Sequence, residues 1–147
     1  MMGKAASQWL STTEEQEILN AIQDAESLCS GEIRVHLEAH CSTEDPLDRA
    51  VQVFYKLKMD RTAARNGVLL YLSVEDRKLA IIGDKGIHQY IHDQIWDSIR
   101  MKITRCIQES GLSKGICEGI HECAVLLSNH FPYLPGDNNE LPNEISV

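Results

Sequence analysis

At 147 residues the chain suits one domain, and 43% hydrophobic with 24% charged residues is ordinary for a globular protein able to bury a core. A formal charge of −8 argues against general nucleic-acid binding, which needs a basic footprint, and against docking on an anionic membrane. No run approaches the roughly 20 apolar residues of a membrane helix, and residues 1–10 hold no apolar segment long enough for a signal peptide, so the expectation is a cytoplasmic protein without membrane insertion. Cys29, Cys41, Cys106, Cys117 and Cys123 form no CxxC pair and no disulfide-framework spacing, and they read as reduced, mostly packed thiols.

The first predicted element is a helix opening at Thr12, with Thr13 as its cap and Gln16 as the box partner. Ile18, Ala21, Ile22, Ala25 and Leu28 recur at helical spacing, and Ser30-Gly31 ends the helix. Glu32 to Ala39 then alternates strictly. Ile33, Val35, Leu37 and Ala39 fall on one face and Glu32, Arg34, His36 and Glu38 on the other, the period of a strand. After a loop, Asp45 caps a second helix with Pro46 at its first position and Ala50, Val51, Phe54, Tyr55 and Leu57 as its apolar stripe.

Asn66-Gly67 precedes Val68 to Leu72, so continuously apolar that both faces should be covered. A charged turn leads to the next strand, Leu79 to Ile82, which runs into Gly83-Asp84-Lys85-Gly86. Ile87, Tyr90 and Ile91 form a short turn; Ile95, Ile99, Ile103 and Ile107 step by four along a helix that Gly111 stops. Ser113 is the predicted cap of the last helix, with Ile116, Ile120, Ala124 and Leu127 inward. The domain is placed at residues 1–131, and 132–147 as an extended or disordered C-terminal tail.

The order α-β-α-β-β-α-α predicts a three-layer α/β/α sandwich around a small mixed sheet. A right-handed crossover makes strands one and two parallel, and the hairpin makes strand three antiparallel to strand two. The starts of the first two strands and the finish of the third then share one end of the sheet. Ser30, Gly31, Glu32, Asn66, Gly67, Asp84 and Gly86 converge there. Glycines allow backbone to approach a ligand closely, and Glu32, Asn66 and Asp84 are oxygen donors of the hard kind that Ca²⁺ or Mg²⁺ takes. Turn chemistry is the competing reading, because Asn-Gly and Gly-Asp are common strand punctuation.

Other constellations are weaker. Arg34 and His36 would line a polar cleft, the arginine holding phosphate by a two-pronged bond and the histidine exchanging protons near neutral pH; salt bridging across the sheet is the alternative. No GxSxG, Cx5R or DxDx(T/V) nucleophile motif accompanies them. His88 with His92, and Cys117 with His121, are each four apart and offer two metal ligands without an evident third.

Ser30 to Val35, Arg65 to Leu72, Arg77-Lys78 with Leu79 to Ile82, and Gly83 to Ile87 together resemble the TPM domain, over roughly Thr12 to Phe131. The Gly83-Asp84-Lys85-Gly86-Ile87 form, Trp96-Asp97 and the Asn139 to Ile145 end are similar to a soluble bacterial branch of that family. The resemblance implies an α/β/α sandwich, divalent-metal binding in a surface cleft for some members, and an acid phosphatase activity for a plant thylakoid member. Many members carry Asp-Asn-Gly where this chain has Arg65-Asn66-Gly67, so one acidic residue is lost there and another gained at Asp84. The expectation is a domain that binds a divalent cation, Ca²⁺ or Mg²⁺, or a protein partner at a surface cleft, with Glu32, Asn66 and Asp84 as metal ligands. A metal-assisted acid phosphatase acting on phosphomonoesters is the alternative.

Overall fold

The computed structural model describes residues 8–134 and 140–147; residues 1–7, most of the N-terminal segment discussed above, and 135–139, part of the predicted tail, lie outside them. Helix α1 (Thr12–Leu28) is opened by Ser11 rather than Thr13. Glu14 N donates to Ser11 Oγ at 3.1 Å and Ser11 N to Glu14 Oε1 at 2.9 Å, a reciprocal capping box. Both Ser11/Glu14 and Thr13/Gln16 have the required spacing; the earlier pair adds helical backbone bonds before Thr13. Ser11→Ala is expected to cost about 1 kcal/mol, read as a lower urea midpoint at unchanged slope.

The elements that follow are β1 (Glu32–Glu38), α2 (Pro46–Lys56), a 3₁₀ turn (Met59–Arg61), β2 (Gly67–Ser73), β3 (Lys78–Gly83), α3 (Lys85–His88), α4 (Asp93–Ser110) and α5 (Leu112–Ser128). Asp45 caps α2 as expected, its Oδ1 accepting from Leu47 N at 2.9 Å. The sheet order is β1-β2-β3. β1 and β2 are parallel with Glu32 opposite Gly67, and β3 is antiparallel with Gly83 opposite Val68. One face carries α1, α4 and α5, where Ile18, Ile22, Ile103 and Ile120 bury against Val35 and Leu70. The other carries α2 and the 3₁₀ turn, where Val53, Phe54 and Met59 bury against Leu69, Tyr71 and Ala80. This is the α/β/α sandwich. Its close layer contact depends on Gly119, where a Cβ would sit 2.6 Å from Ile103 Cδ1 and 2.8 Å from Leu70 Cδ2.

Several local expectations are corrected by packing. Gly111, at φ +100°, ends α4 and starts α5. Ser113 therefore lies within α5, buried, with its Oγ donating to Glu17 Oε2 at 3.5 Å. Residues four apart on a helix drift by about 40° per step, so Ile99 and Ile103 face inward while Ile95 turns out to 36% exposure. On α2, Val53 is buried and Tyr55 is exposed. His88 ends α3 and His92 caps α4, so they share no helix face.

The chain end has a defined place. Ser146 N donates to Val35 O and Leu37 N to Ser146 O, both at 2.9 Å, so Ser146 pairs in parallel with His36 on the free edge of β1. Ile145 enters the larger core and Leu141 packs against the α2 cluster. Residues 140–147 thus run alongside β1, covering the side that α2 leaves open. Among the described residues no helix is long and apolar enough to cross a membrane.

Candidate functional site

The glycine end of the sheet assembles as the crossover rule requires. Glu32 N donates to Asn66 O at 3.2 Å, and Asp84 N donates to Gly67 O at 2.9 Å. Glu32, Asn66 and Asp84 are each buried. Their polar groups are met in different ways.

Asp84 caps α3 by accepting from Lys85 N at 2.7 Å. Its two oxygens also accept from Arg65 Nε at 2.8 Å and Nη2 at 2.9 Å, a two-pronged ion pair. The Arg65 backbone takes φ +51°, an unusual conformation for a side-chain-bearing residue. The Arg65 carbonyl accepts from Gly86 N at 2.9 Å. Asn66 is held through Nδ2 donating to Ser30 O at 3.0 Å and its own N donating to Thr62 Oγ1 at 3.2 Å. Asn66 Oδ1 is buried and finds no hydrogen-bond partner among the described residues.

Glu32 has a second carboxylate against it, which the sequence reading missed: Glu26, from the last turns of α1. Burial, then the hydrogen bond to Glu32 and that residue's charge, push Glu26 up to about 8, opposed by Asn143. Burial also raises Glu32, as does the charge of Glu140, while the backbone N–H of Glu140 and the bond from Glu26 oppose the rise. Glu140 N donates to Glu32 Oε1 at 2.7 Å. Burial thus pushes both carboxyls up, and a hydrogen bond joins them. The available signal was two glutamates flanking the Ser30-Gly31 turn, where α1 must fold back onto β1.

The polar face of β1 continues into a second network. Glu38 accepts from Arg49 Nε at 2.9 Å and Nη2 at 3.0 Å, from the Tyr71 hydroxyl, and from His36 Nε2 at 3.0 Å. A carboxylate can only accept, so His36 Nδ1 is left to accept from Ser146 Oγ, 2.8 Å away. Arg34 is 4% exposed, close to the charge of Glu144, with its Nε unpartnered among the described residues. The polar cleft imagined for Arg34 and His36 is thus a packed layer beneath α2 and the chain end. Among the described residues no three of His, Cys, Asp and Glu gather so as to hold a metal ion; the donors at the glycine end are two carboxylates and an amide. The five cysteines are free thiols.

The fold and its site define a class: a single-sheet α/β/α domain whose one sheet end is built from close-packed backbone, glycine and buried carboxylates. The chain belongs to the TPM domain family, whose model matches residues 5–125. It is similar to the BA42 protein of the psychrophilic bacterium Bizionia argentinensis, known by NMR, at 44% identity over 93% of this chain and 94% of that one, with a TM-score of 0.86. It shares its fold with an N-terminal domain from P. gingivalis, at 17% identity over 84% of this chain and 79% of that one, TM-score 0.68. The same holds for the N-terminal domain of cg2496 from Corynebacterium glutamicum, at 16% identity, 81% and 74% coverage and TM-score 0.63. No curated protein is detectably similar.

Proposed function

We propose that this TPM domain binds a divalent cation at the glycine end of the sheet, on Glu32 with Glu26 and the amide oxygen of Asn66. The observation that carries the reading is the contact of two carboxyls, Glu26 hydrogen-bonded to Glu32, both pushed up by burial. Two such groups in contact need positive charge between them; a proton supplies it at neutral pH, and Ca²⁺ or Mg²⁺ can take its place. Asn66 Oδ1, buried without a donor, is an oxygen ligand of the right kind. Asp84 belongs to the same end but keeps the Arg65 guanidinium as its counter-charge. So few protein donors leave several coordination places to water, which suits a weak site, with a Kd on the order of 10⁻⁴–10⁻³ M.

A cation needs the ionised pair, so affinity rises with pH until the proton held at about 8 has left. Binding at about pH 6.5 is expected to be roughly 30-fold weaker than at about pH 9. Titration of Ca²⁺ or Mg²⁺ into ¹⁵N-labelled protein, at both pH values, checks this through the amides of Glu32, Glu140 and Leu141. Glu32→Gln should abolish the shifts and Asp84→Asn should leave them. Silence of these amides at millimolar metal and high pH would remove the proposal. Release of para-nitrophenol from para-nitrophenyl phosphate in the metal-loaded sample reads the further step the family resemblance implies, and turnover that survives Glu32→Gln would place that chemistry elsewhere.

A further inference from the structure

β3 is an edge strand. Because Asp84 N bonds to Gly67 O, the antiparallel alternation sets Lys78, Ala80 and Ile82 in the hydrogen-bonded pairs with β2. The N–H and C=O groups of Leu79, Ile81 and Gly83 therefore point away from the sheet. A groove of about 490 Å³ runs beside this edge, between the first turns of α2 and of α4. Trp96 of α4 lines it. That side chain is 7% exposed, yet its Nε1–H finds no acceptor among the described residues. Gly83 lets the indole lie against the strand, since a Cβ there would be 3.2 Å from Trp96 Cζ2. A buried indole donor next to outward backbone groups is an incomplete hydrogen-bonding row, and a buried unpaired donor is costly to leave so.

The charge of the groove selects the occupant. Asp45, Asp93 and Asp97 line it, against Arg100, which is already bound to Asp97 at 2.9 Å, and His88. We infer that the β3 edge receives an extended, basic segment of a partner protein, added as a fourth strand alongside the Trp96 indole. Strand addition draws its affinity from main-chain hydrogen bonds and its selectivity from alternate side chains; here the alternate side chains meet aspartates. A second copy of this chain suits the groove less, because it would bring two sets of these aspartates, and two chains of charge −8, together.

The cation proposal uses Glu26, Glu32 and Asn66, none of which lines this groove, so each can fail without the other. The test is a ¹⁵N titration of the full chain with an acetylated Lys-Val-Lys-Val-Lys-Val amide. Saturable shifts are expected at the Ile81 and Gly83 amides and at the Trp96 indole N–H, while the indole of Trp9, packed elsewhere on the core, stays still. Asp93→Asn with Asp97→Asn, both at the groove rim, should weaken binding by roughly threefold to tenfold through lost ion pairs. The same peptide N-methylated at alternate residues should not bind. No shift at millimolar peptide, or equal binding by the N-methylated form, overturns strand addition. The same shifts appearing on concentrating the protein alone, with a doubled mass in sedimentation, would make the occupant a second copy and overturn the basic partner.

Discussion

Gly86→Ala is expected to lower the unfolding free energy by about 1–3 kcal/mol, enough to move the thermal midpoint by several degrees in a domain of this size. A Cβ at Gly86 would lie 2.4 Å from the Ala64 carbonyl oxygen and 2.7 Å from that of Arg65. Both are backbone atoms, which cannot rotate away as a side-chain tip can. Relief requires the start of α3 to lift off the Ala64–Arg65 turn, which breaks the 2.9 Å bond from Gly86 N to Arg65 O. Arg65 and Asp84 would then lose their mutual placement. Gly111→Ala is the contrast: nothing lies within 4 Å of a Cβ there, and only the φ of +100° is unfavourable, so the loss should be nearer 1 kcal/mol. Far-UV circular dichroism on the two variants separates them; a Gly86→Ala protein as stable as the parent would show that this end of the sheet is not close-packed.

Glu38→Gln is expected to cost about 2–4 kcal/mol near neutral pH and to flatten the acid side of the stability profile. The substitution leaves Arg49 without a carboxylate and the Tyr71 hydroxyl, on a fully buried ring, with a poorer acceptor. The acid effect follows from the same contacts. Burial alone would raise the Glu38 carboxyl, but the bonds from Arg49, Tyr71 and His36 outweigh it and hold it at about 2, against 4.5 when free. A carboxylate depressed by folding stabilises fully above its free value and loses that contribution as pH falls through its folded value. The parent should therefore lose stability between about pH 4.5 and about pH 2. The shift corresponds to about 3 kcal/mol, which solvent access to part of the group trims to about 1–2 kcal/mol. His36, lowered chiefly by burial, acts in the same direction, because it must be charged as acid is added below its free value of 6.5. Urea midpoints measured from neutral to acid pH would show the limb in the parent and its loss in Glu38→Gln. A variant with an unchanged limb would assign acid sensitivity to other carboxylates.

Most of the fold was legible because its signals are local. Strict alternation from Glu32 to Glu38 makes a strand whatever surrounds it, and Asp45-Pro46 starts a helix by short-range geometry. The topology then followed from handedness and brought Glu32, Asn66 and Asp84 to one end of the sheet. Boundaries were less legible where two local solutions compete, as at Ser11 and Thr13, or where a glycine serves two helices, as at Gly111. The β1 polar face invited a cleft because the alternation of Glu32, Arg34, His36 and Glu38 says only that these residues share a side, not what lies over it. Contacts from Arg49, Tyr71 and Ser146, far apart in the chain, close it.

What the chain determined by itself was where strands and helices lie, which faces are apolar, and which end of the sheet gathers glycine and carboxylate. Those follow from periodicities of two and of about 3.6 residues and from the backbone freedom of glycine. Only the tertiary structure decided how each charge is answered: Asp84 by Arg65, Glu32 by the Glu140 N–H and a hydrogen bond with Glu26, Glu38 by Arg49 and Tyr71. The physical reason is range. Burial and Coulomb energy depend on separations of a few ångströms between elements distant in sequence. A rotation of one helix or a single left-handed residue such as Arg65 changes those separations while leaving every local pattern as it was.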